Sequence, residues 1–395
     1  MTWLGKGNVA VAGIGFSALT RHPSPEGPLG KLAFDAANAA LDDAGLGADQ
    51  VDGIATYNMG AIARDGFDGV SADYFLKHYP MSPDFRWYAQ LDQGMVASAV
   101  LEAVNAIIAG MANYVIVWRA MHRPQDRPYT QVAAHTATGD SQFSLPYGQA
   151  AVYQWHAMAY QRYLHLSGGK RESMAALAVN QRRNANMNER AYFRDTPMSQ
   201  EDYLNARFIA EPLCLFDCDI PIEGCAAFLL TSAERARDLK NPPAYIAACA
   251  QNTAARRPAL ISYILDDYMV CGDTLAGQLW RDSGLGPRDM QAAQLYDGFA
   301  PSTYYWLEAA GFCPQGEAHN FVQDGRIALE GEMPVNTFGG SLSEGRLHGM
   351  GHLAEAALQV TARAGPRQIA GCHAACAIDG SPLLRGSGVV FTSEP

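Results

Sequence analysis

"GMVASAVLEAVNAIIAGMANYVIVW", residues 94–118, has a counterpart in "GMGHLAEAALQVTARAGPRQIAGCH", residues 349–373. Each opens with Gly-Met and continues as an alanine-rich stretch of helical spacing. Each then reaches a glycine, Gly110 or Gly365, and runs on toward a strand. A second pair lies outward of the first: "DDAGLGADQVDGIATYN" (42–58) matches "RDSGLGPRDMQAAQLYD" (281–297), with a G-L-G helix stop before a strand in both. This second match sets Tyr57 against Tyr296. The offsets, 349 − 94 = 255 and 281 − 42 = 239 residues, are nearly equal, so the chain reads as a duplicated half.

Each half reads strand, helix, strand, helix, strand, which implies an α/β unit with a largely parallel sheet. The N-terminal strands are expected at "NVAVAGIG", "VDGIATYN" and "NYVIVWRA", with helices over "KLAFDAANAALDDAG" and from Gly94 onward. The C-terminal strands are expected at "AYIAACAQ", "AAQLYD", "RQIAGCH" and "GVVFTS", with helices near 272–284, 301–311 and 349–364. A polar insertion with helices at 150–167 and 171–186 reads as a cap. The divisions that follow are 1–120 for the first part of the N-terminal half and 121–210 for the cap. Residues 211–240 form a return strand, and 241–395 the C-terminal half.

Composition narrows the function. With 48% hydrophobic and 17% charged residues, the chain of 395 residues has a globular profile. A balance of 29 basic against 40 acidic residues gives −11, which disfavours a nucleic-acid binder. No apolar run is long enough to span a membrane, and the N-terminus reads as a buried strand rather than a signal peptide. "GIGFSA" (13–18) matches a dinucleotide fingerprint, but Pro23, Pro25 and Pro28 forbid the helix that would hold a pyrophosphate. None of the eight cysteines is spaced C-x-x-C, which disfavours zinc and dithiol chemistry, and the first 213 residues contain none.

Three stretches carry chemistry. "QLYDGFAP" (294–301) puts Tyr296 and Asp297 at the end of a strand, where open α/β sheets bind ligands. A phenol titrates near ~10, so Tyr296 would need a nearby guanidinium to serve as a base. "PVNTFGGSLSEGRLHGMGH" (334–352) gathers Asn336, Gly339, Gly340, Gly345, Arg346, His348 and Gly349 ahead of a helix, a place suited to stabilising an anion. "NQRRNANMNERAYFR" (180–194) offers Arg182 and Arg183 as forks for the phosphates of a nucleotide-bearing carrier, or equally as a solvated helix face.

The duplicated halves, the cap and these motifs together resemble the thiolase superfamily over essentially the whole chain. In thiolases of the sterol-carrier type, "YDGF" corresponds to His-Asp-Cys-Phe, and "NTFGGSLSEGRLHGMG" to N-x-x-G-G followed by G-H-P-x-G. The resemblance implies a layered αβαβα core and places Gly94 where a thiolase has its nucleophilic cysteine. Tyr296, Gly298 and Arg346 replace a histidine, a cysteine and a histidine. "EPLCLFDCD", "LYDGFAP", "GFCPQGEA" and "PVNTFGG" are similar to segments of the thiolase-like aldolases of bacterial steroid side-chain degradation. Those enzymes cleave a β-hydroxyacyl-CoA and pair with a DUF35 protein, a zinc ribbon joined to an OB fold. They carry a tyrosine in place of Arg346 and commonly a histidine in place of Gly298.

The resemblance implies a cytoplasmic, homodimeric carbon–carbon lyase, with no metal and no cofactor beyond the CoA of its substrate. Tyr296 would take the hydroxyl proton, Asp297 would orient it, and His348 with Arg346 would hold or protonate the enolate. Gly94, Asn336, Gly339, Gly340, Arg182 and Arg183 would bind substrate. An acyltransferase without a covalent cysteine, or a non-catalytic acyl-CoA-binding scaffold, are the other readings.

Overall fold

The computed structural model describes residues 3–21, 29–57, 70–91, 95–123, 137–253, 268–383 and 385–395. Its first strand, β1 (Val9–Phe16), is buried along almost its whole length. Helix α1 (Leu29–Ala44) lies directly on it. A Cβ at Gly13 would stand 2.0 Å from Ala40 O, and one at Gly15 2.1 Å from Ala36 O. The glycines of "GIGF" therefore let helix and strand backbones touch, which is a packing role and not a phosphate cradle.

The remaining strands are β2 (Gly53–Tyr57), β3 (Trp87–Leu91), β4 (Tyr114–Met121), β5 (Phe208–Ala210), β6 (Leu213–Cys214), β7 (Gly224–Ser232), β8 (Ala244–Thr253), β9 (Ala292–Leu295), β10 (Ala374–Ser381) and β11 (Arg385–Thr392). The longer helices after α1 are α2 (Ala72–His78), α3 (Val96–Ile108), α4 (Val152–Ser167), α5 (Arg171–Asn186), α6 (Tyr268–Ser283), α7 (Ala300–Ala309) and α8 (Met350–Val360). The strands other than β5 and β6 form one sheet of order β3-β2-β4-β7-β1-β8-β11-β10-β9. The duplication is visible in that order: β1-β7-β4-β2 runs outward from the centre as β8-β11-β10-β9 does. The halves join where Ala10 and Val11 of β1 pair with Tyr245 and Ala244 of β8.

The sheet is mixed, which corrects the expectation of a largely parallel one. β2 is parallel to β3 and β4, and β9 to β10. β4/β7, β1/β7, β1/β8, β8/β11 and β10/β11 are antiparallel. The return strands β7 and β11 insert between β4 and β1 and between β10 and β8, which forces the change of direction. One strand also lies later than expected. "RQIAGCH" is a turn in which the buried Arg367 pairs with Glu355 and Gln368 bonds the backbone, and β10 begins only at Ala374.

The core is layered. α1 and α2 cover the outer face of the N-terminal half, while Val96, Val100, Val104 and Ile107 of α3 meet Leu353, Ala357 and Val360 of α8 in the central layer. α6, α7 and the cap helices α4 and α5 cover the outer face of the C-terminal half. The apolar residues of α3 recur at helical spacing because that face is buried, and each buried Val or Leu contributes about 1.5–3 kcal/mol.

Candidate active site

The duplicated halves deliver two tyrosines to one place. Thr56 pairs with Trp118 and Leu295 with Ile378, so Tyr57 beside Arg119 and Tyr296 beside Asp379 occupy equivalent positions beyond the ends of those pairings. His348 lies against both phenols, its ring stacked 5.7 Å from Tyr57 and edge-on 6.0 Å from Tyr296. It is held at φ 53°, a left-handed conformation unusual for histidine that marks a constrained loop. The guanidinium of Arg119 lies 5.0 Å from the Tyr57 ring centroid, and its Nη1 donates to Tyr57 O at 2.6 Å.

Arg119 Nη2 stands 3.3 Å from His348 Nδ1. A guanidinium only donates, so Nδ1 is the acceptor. Burial lowers the His348 pKa well below the ordinary value, and Arg119, Arg346 and Arg385 lower it further. The imidazole is therefore neutral with its proton on Nε2, a donor fixed in place for a developing negative charge.

Burial pushes the phenol of Tyr296 well above its ordinary value, Asp219 adds to this, and Arg346 opposes it. Desolvation thus outweighs the guanidinium that was expected to favour the phenolate, so the resting Tyr296 is protonated. Arg346 itself faces Asp219, with Nε 3.6 Å from Oδ2, and its N–H bonds Ile220 O at 2.9 Å. Tyr57 is also raised by burial, with Arg119 opposing.

Asp297 supports the site from below. Its Oδ1 accepts from Ser341 N at 2.8 Å and lies 2.9 Å from His352 Nε2, while Oδ2 accepts from Leu342 N at 3.2 Å. In this structure the buried carboxylate anchors the turn that leads to His348, rather than facing outward as a group that orients a substrate hydroxyl would. Gly340 is required beneath it, since a Cβ there would stand 2.0 Å from Asp297 Oδ2. Gly339 packs in the same way, its Cβ position 2.6 Å from Ala185 Cβ of α5. Asn336 is likewise spent on backbone, accepting from Leu295 N at 2.7 Å and donating to Leu295 O at 2.8 Å, so its amide is not offered to a ligand.

The arginines of the cap are also committed elsewhere. Arg182 is buried, bonding Ser343 Oγ at 3.2 Å and Thr196 O at 3.1 Å, with its guanidinium 3.8 Å from the Phe193 ring centroid. Arg183 forms a surface pair with Glu330 at 2.6 Å. Neither is an open phosphate fork. "NQRRNANMNERAYFR" instead grips the glycine-rich loop, through Asn184 to Asn336 O, Asn188 to Phe338 O and Glu344 Oε1, and Arg190 to Glu344. Gly94 lies outside the described residues.

No thiolate is poised among the described residues. Burial raises the thiols of Cys214, Cys218, Cys225, Cys249, Cys313, Cys372 and Cys376, the last two to about 12. At the start of α3, Ala97 N donates at 3.0 Å to the buried carboxylate of Asp379, which also accepts from Ser387 Oγ. Burial raises Asp379 to about 6, and the bond from Ser387 opposes this most strongly.

Sequence reasoning did not single out Arg119, Asp219, Asp379 or Ser387. Arg119 left one signal: it is the only charged residue of "YVIVWRAM", an otherwise apolar strand.

Two half-sheets sharing a central helix layer, with polar residues gathered where equivalent strands end, define a thiolase fold. The profile of the family described as Thiolase C-terminal domain-like matches residues 269–391. The 17-hydroxy-3-oxo-4-pregnene-20-carboxyl-CoA lyase of Mycobacterium tuberculosis (strain H37Rv) is 37% identical over 90% of this chain and 92% of its own. The steroid side-chain-cleaving aldolase of Thermomonospora curvata is 34% identical over 89% of each chain. The solved structure of the Ltp2-ChsH2(DUF35) aldolase superposes with a TM-score of 0.87 at 31% identity, over 99% of both chains. The chain belongs to the thiolase superfamily, in its branch of thiolase-like acyl-CoA aldolases, which are carbon–carbon lyases.

Proposed function

We propose that this chain cleaves the bond between the α- and β-carbons of a bulky β-hydroxyacyl-CoA by a retro-aldol reaction, with no covalent acyl-enzyme. The carrying observation is His348: neutral, set against two phenols, with its proton directed to Nε2 by Arg119. Tyr296, after losing its own proton to water in a minor fraction of the protein, takes the β-hydroxyl proton as phenolate, and the O–H electrons become the ketone π bond. The Cα–Cβ electrons move into the thioester as an enolate, whose oxygen is held by His348 Nε2–H and Arg346. Asp297 and His352 act at one remove, by fixing the loop that carries His348.

A steroid thioester as substrate is supported by the two relatives named for steroid cleavage. A DUF35 partner is supported by the aldolase whose solved structure includes one. Pairing with a second copy is supported by the edge strand β3, which bonds only β2 among the described strands and exposes Tyr88. No helix among the described residues is long and apolar enough to cross a membrane.

The test is to incubate the purified chain, with and without a DUF35 protein, with 17-hydroxy-3-oxo-4-pregnene-20-carboxyl-CoA and to measure ketone and shorter acyl-CoA. Tyr296→Phe should slow release by about 10²–10⁴-fold, the usual worth of a positioned proton-transfer group. An unchanged rate removes Tyr296 from the role. A stable acylated side chain, found by mass spectrometry after acyl-CoA incubation, selects the acyltransferase reading instead.

A further inference from the structure

The site holds a second phenol that the steps above do not use. Tyr57 is fully buried, and its hydroxyl has no hydrogen-bond partner among the described residues. An orphaned buried hydroxyl is a cost the fold keeps for a reason, since neighbouring polar groups usually satisfy such atoms. Arg119 fixes the residue from two sides, through its carbonyl and across its ring. The charges acting on the hydroxyl come from both halves of the chain: Arg119, Arg346, Arg385 and Asp379. The ring stacks on the imidazole that would hold the enolate oxygen. The enolate left by C–C cleavage still lacks one proton, and Tyr296 approaches His348 edge-on from a different strand end.

We propose that Tyr57 is the acid that delivers this proton to the α-carbon of the enolate, so that the two tyrosines of the duplicated halves divide the reaction between them. The balance closes. One proton leaves the substrate hydroxyl for the Tyr296 phenolate, and one leaves the Tyr57 hydroxyl for the α-carbon as the enolate π electrons form the new C–H bond. After the ketone and acyl-CoA depart, the enzyme holds a Tyr57 phenolate and a Tyr296 phenol. Exchange of one proton with water at each restores the active form, with Tyr296 ionised and Tyr57 protonated.

This inference rests on the lyase reading, but its thioester half can be followed alone. Propionyl-CoA in D₂O serves as the probe, because the step run backward removes an α-proton and returns a deuteron. Wild-type protein, with its DUF35 partner present, should exchange the α-protons, as read by mass spectrometry or NMR. Tyr57→Phe should exchange at least about 100-fold more slowly, a loss typical of removing a general acid. Calorimetry should show propionyl-CoA still bound by this variant, which separates lost chemistry from lost folding. Placing 3-fluorotyrosine at 57 keeps the ring packing and lowers the phenol pKa, so the alkaline rise of exchange should move to lower pH. Exchange by Tyr57→Phe at the wild-type rate, or an unmoved pH profile with the fluorinated ring, overturns the role of Tyr57 and leaves the lyase reading standing. A wild-type protein that binds propionyl-CoA without exchanging it overturns the thioester half of the lyase reading itself.

Discussion

The ring of Tyr296 occupies the space that a side chain at Gly298 would need. A Cβ built on Gly298 would stand 2.7 Å from both Cε1 and Oη of Tyr296, closer than real Cβ contacts come. In this chain the phenol folds back over residue 298, a position it can hold because that residue has no side chain.

Gly298→Ala should accordingly displace the phenol. The methyl group pushes Tyr296 Oη off its line to the substrate hydroxyl, and a misplacement near 1 Å costs about 10²-fold in rate. Steady-state kinetics on the β-hydroxyacyl-CoA check this, with the melting temperature as control. A variant with full turnover would show that Tyr296 need not hold the observed position.

The pH profile follows from the direction of two shifts. Tyr296 is needed as phenolate, but burial holds its proton above the ordinary phenol value, so the active fraction is small near neutrality. kcat/KM should rise by about tenfold per pH unit from pH 7 to 9 without levelling. His348 is lowered and stays neutral over that window, so it adds no acidic limb. Rates that level off near pH 7 would assign the base to a different group.

The two cap arginines should part company on substitution. Arg182→Met removes two bonds that hold Ser343 and Thr196, and should lower stability by about 2–3 kcal/mol in urea denaturation, as losses of hydrogen bonds to a charged group do. Arg183→Ala breaks only an exposed pair with Glu330 and should leave both stability and the KM for acyl-CoA unchanged. A raised KM for Arg183→Ala would restore it as a phosphate ligand.

The sequence carried more of the fold than of the site. The Gly-Met and G-L-G repeats disclosed the duplication and even set Tyr57 opposite Tyr296, because both repeats mark helix boundaries that the chain reuses. Strand direction was not legible: β7 and β10 are buried on both faces, so their apolar runs carry no alternation to tell parallel from antiparallel. Asn336, Gly339 and Gly340 were found as a cluster but read as ligand contacts, since spacing does not reveal that their partners are Leu295, Ala185 and Asp297. Arg119 meets His348 across 229 residues of sequence, and nothing local to either predicts the encounter.

The carboxylate of Asp379 at the first turn of α3 changes what that helix end can do. A sulfur nucleophile draws its reactivity from the electropositive end of a helix, and here an acid already sits against that end. An anion there disfavours a second one, so the start of α3 is a poor place to ionise a thiol. The helix end that could activate a sulfur is already spent on a carboxylate from the other half of the chain.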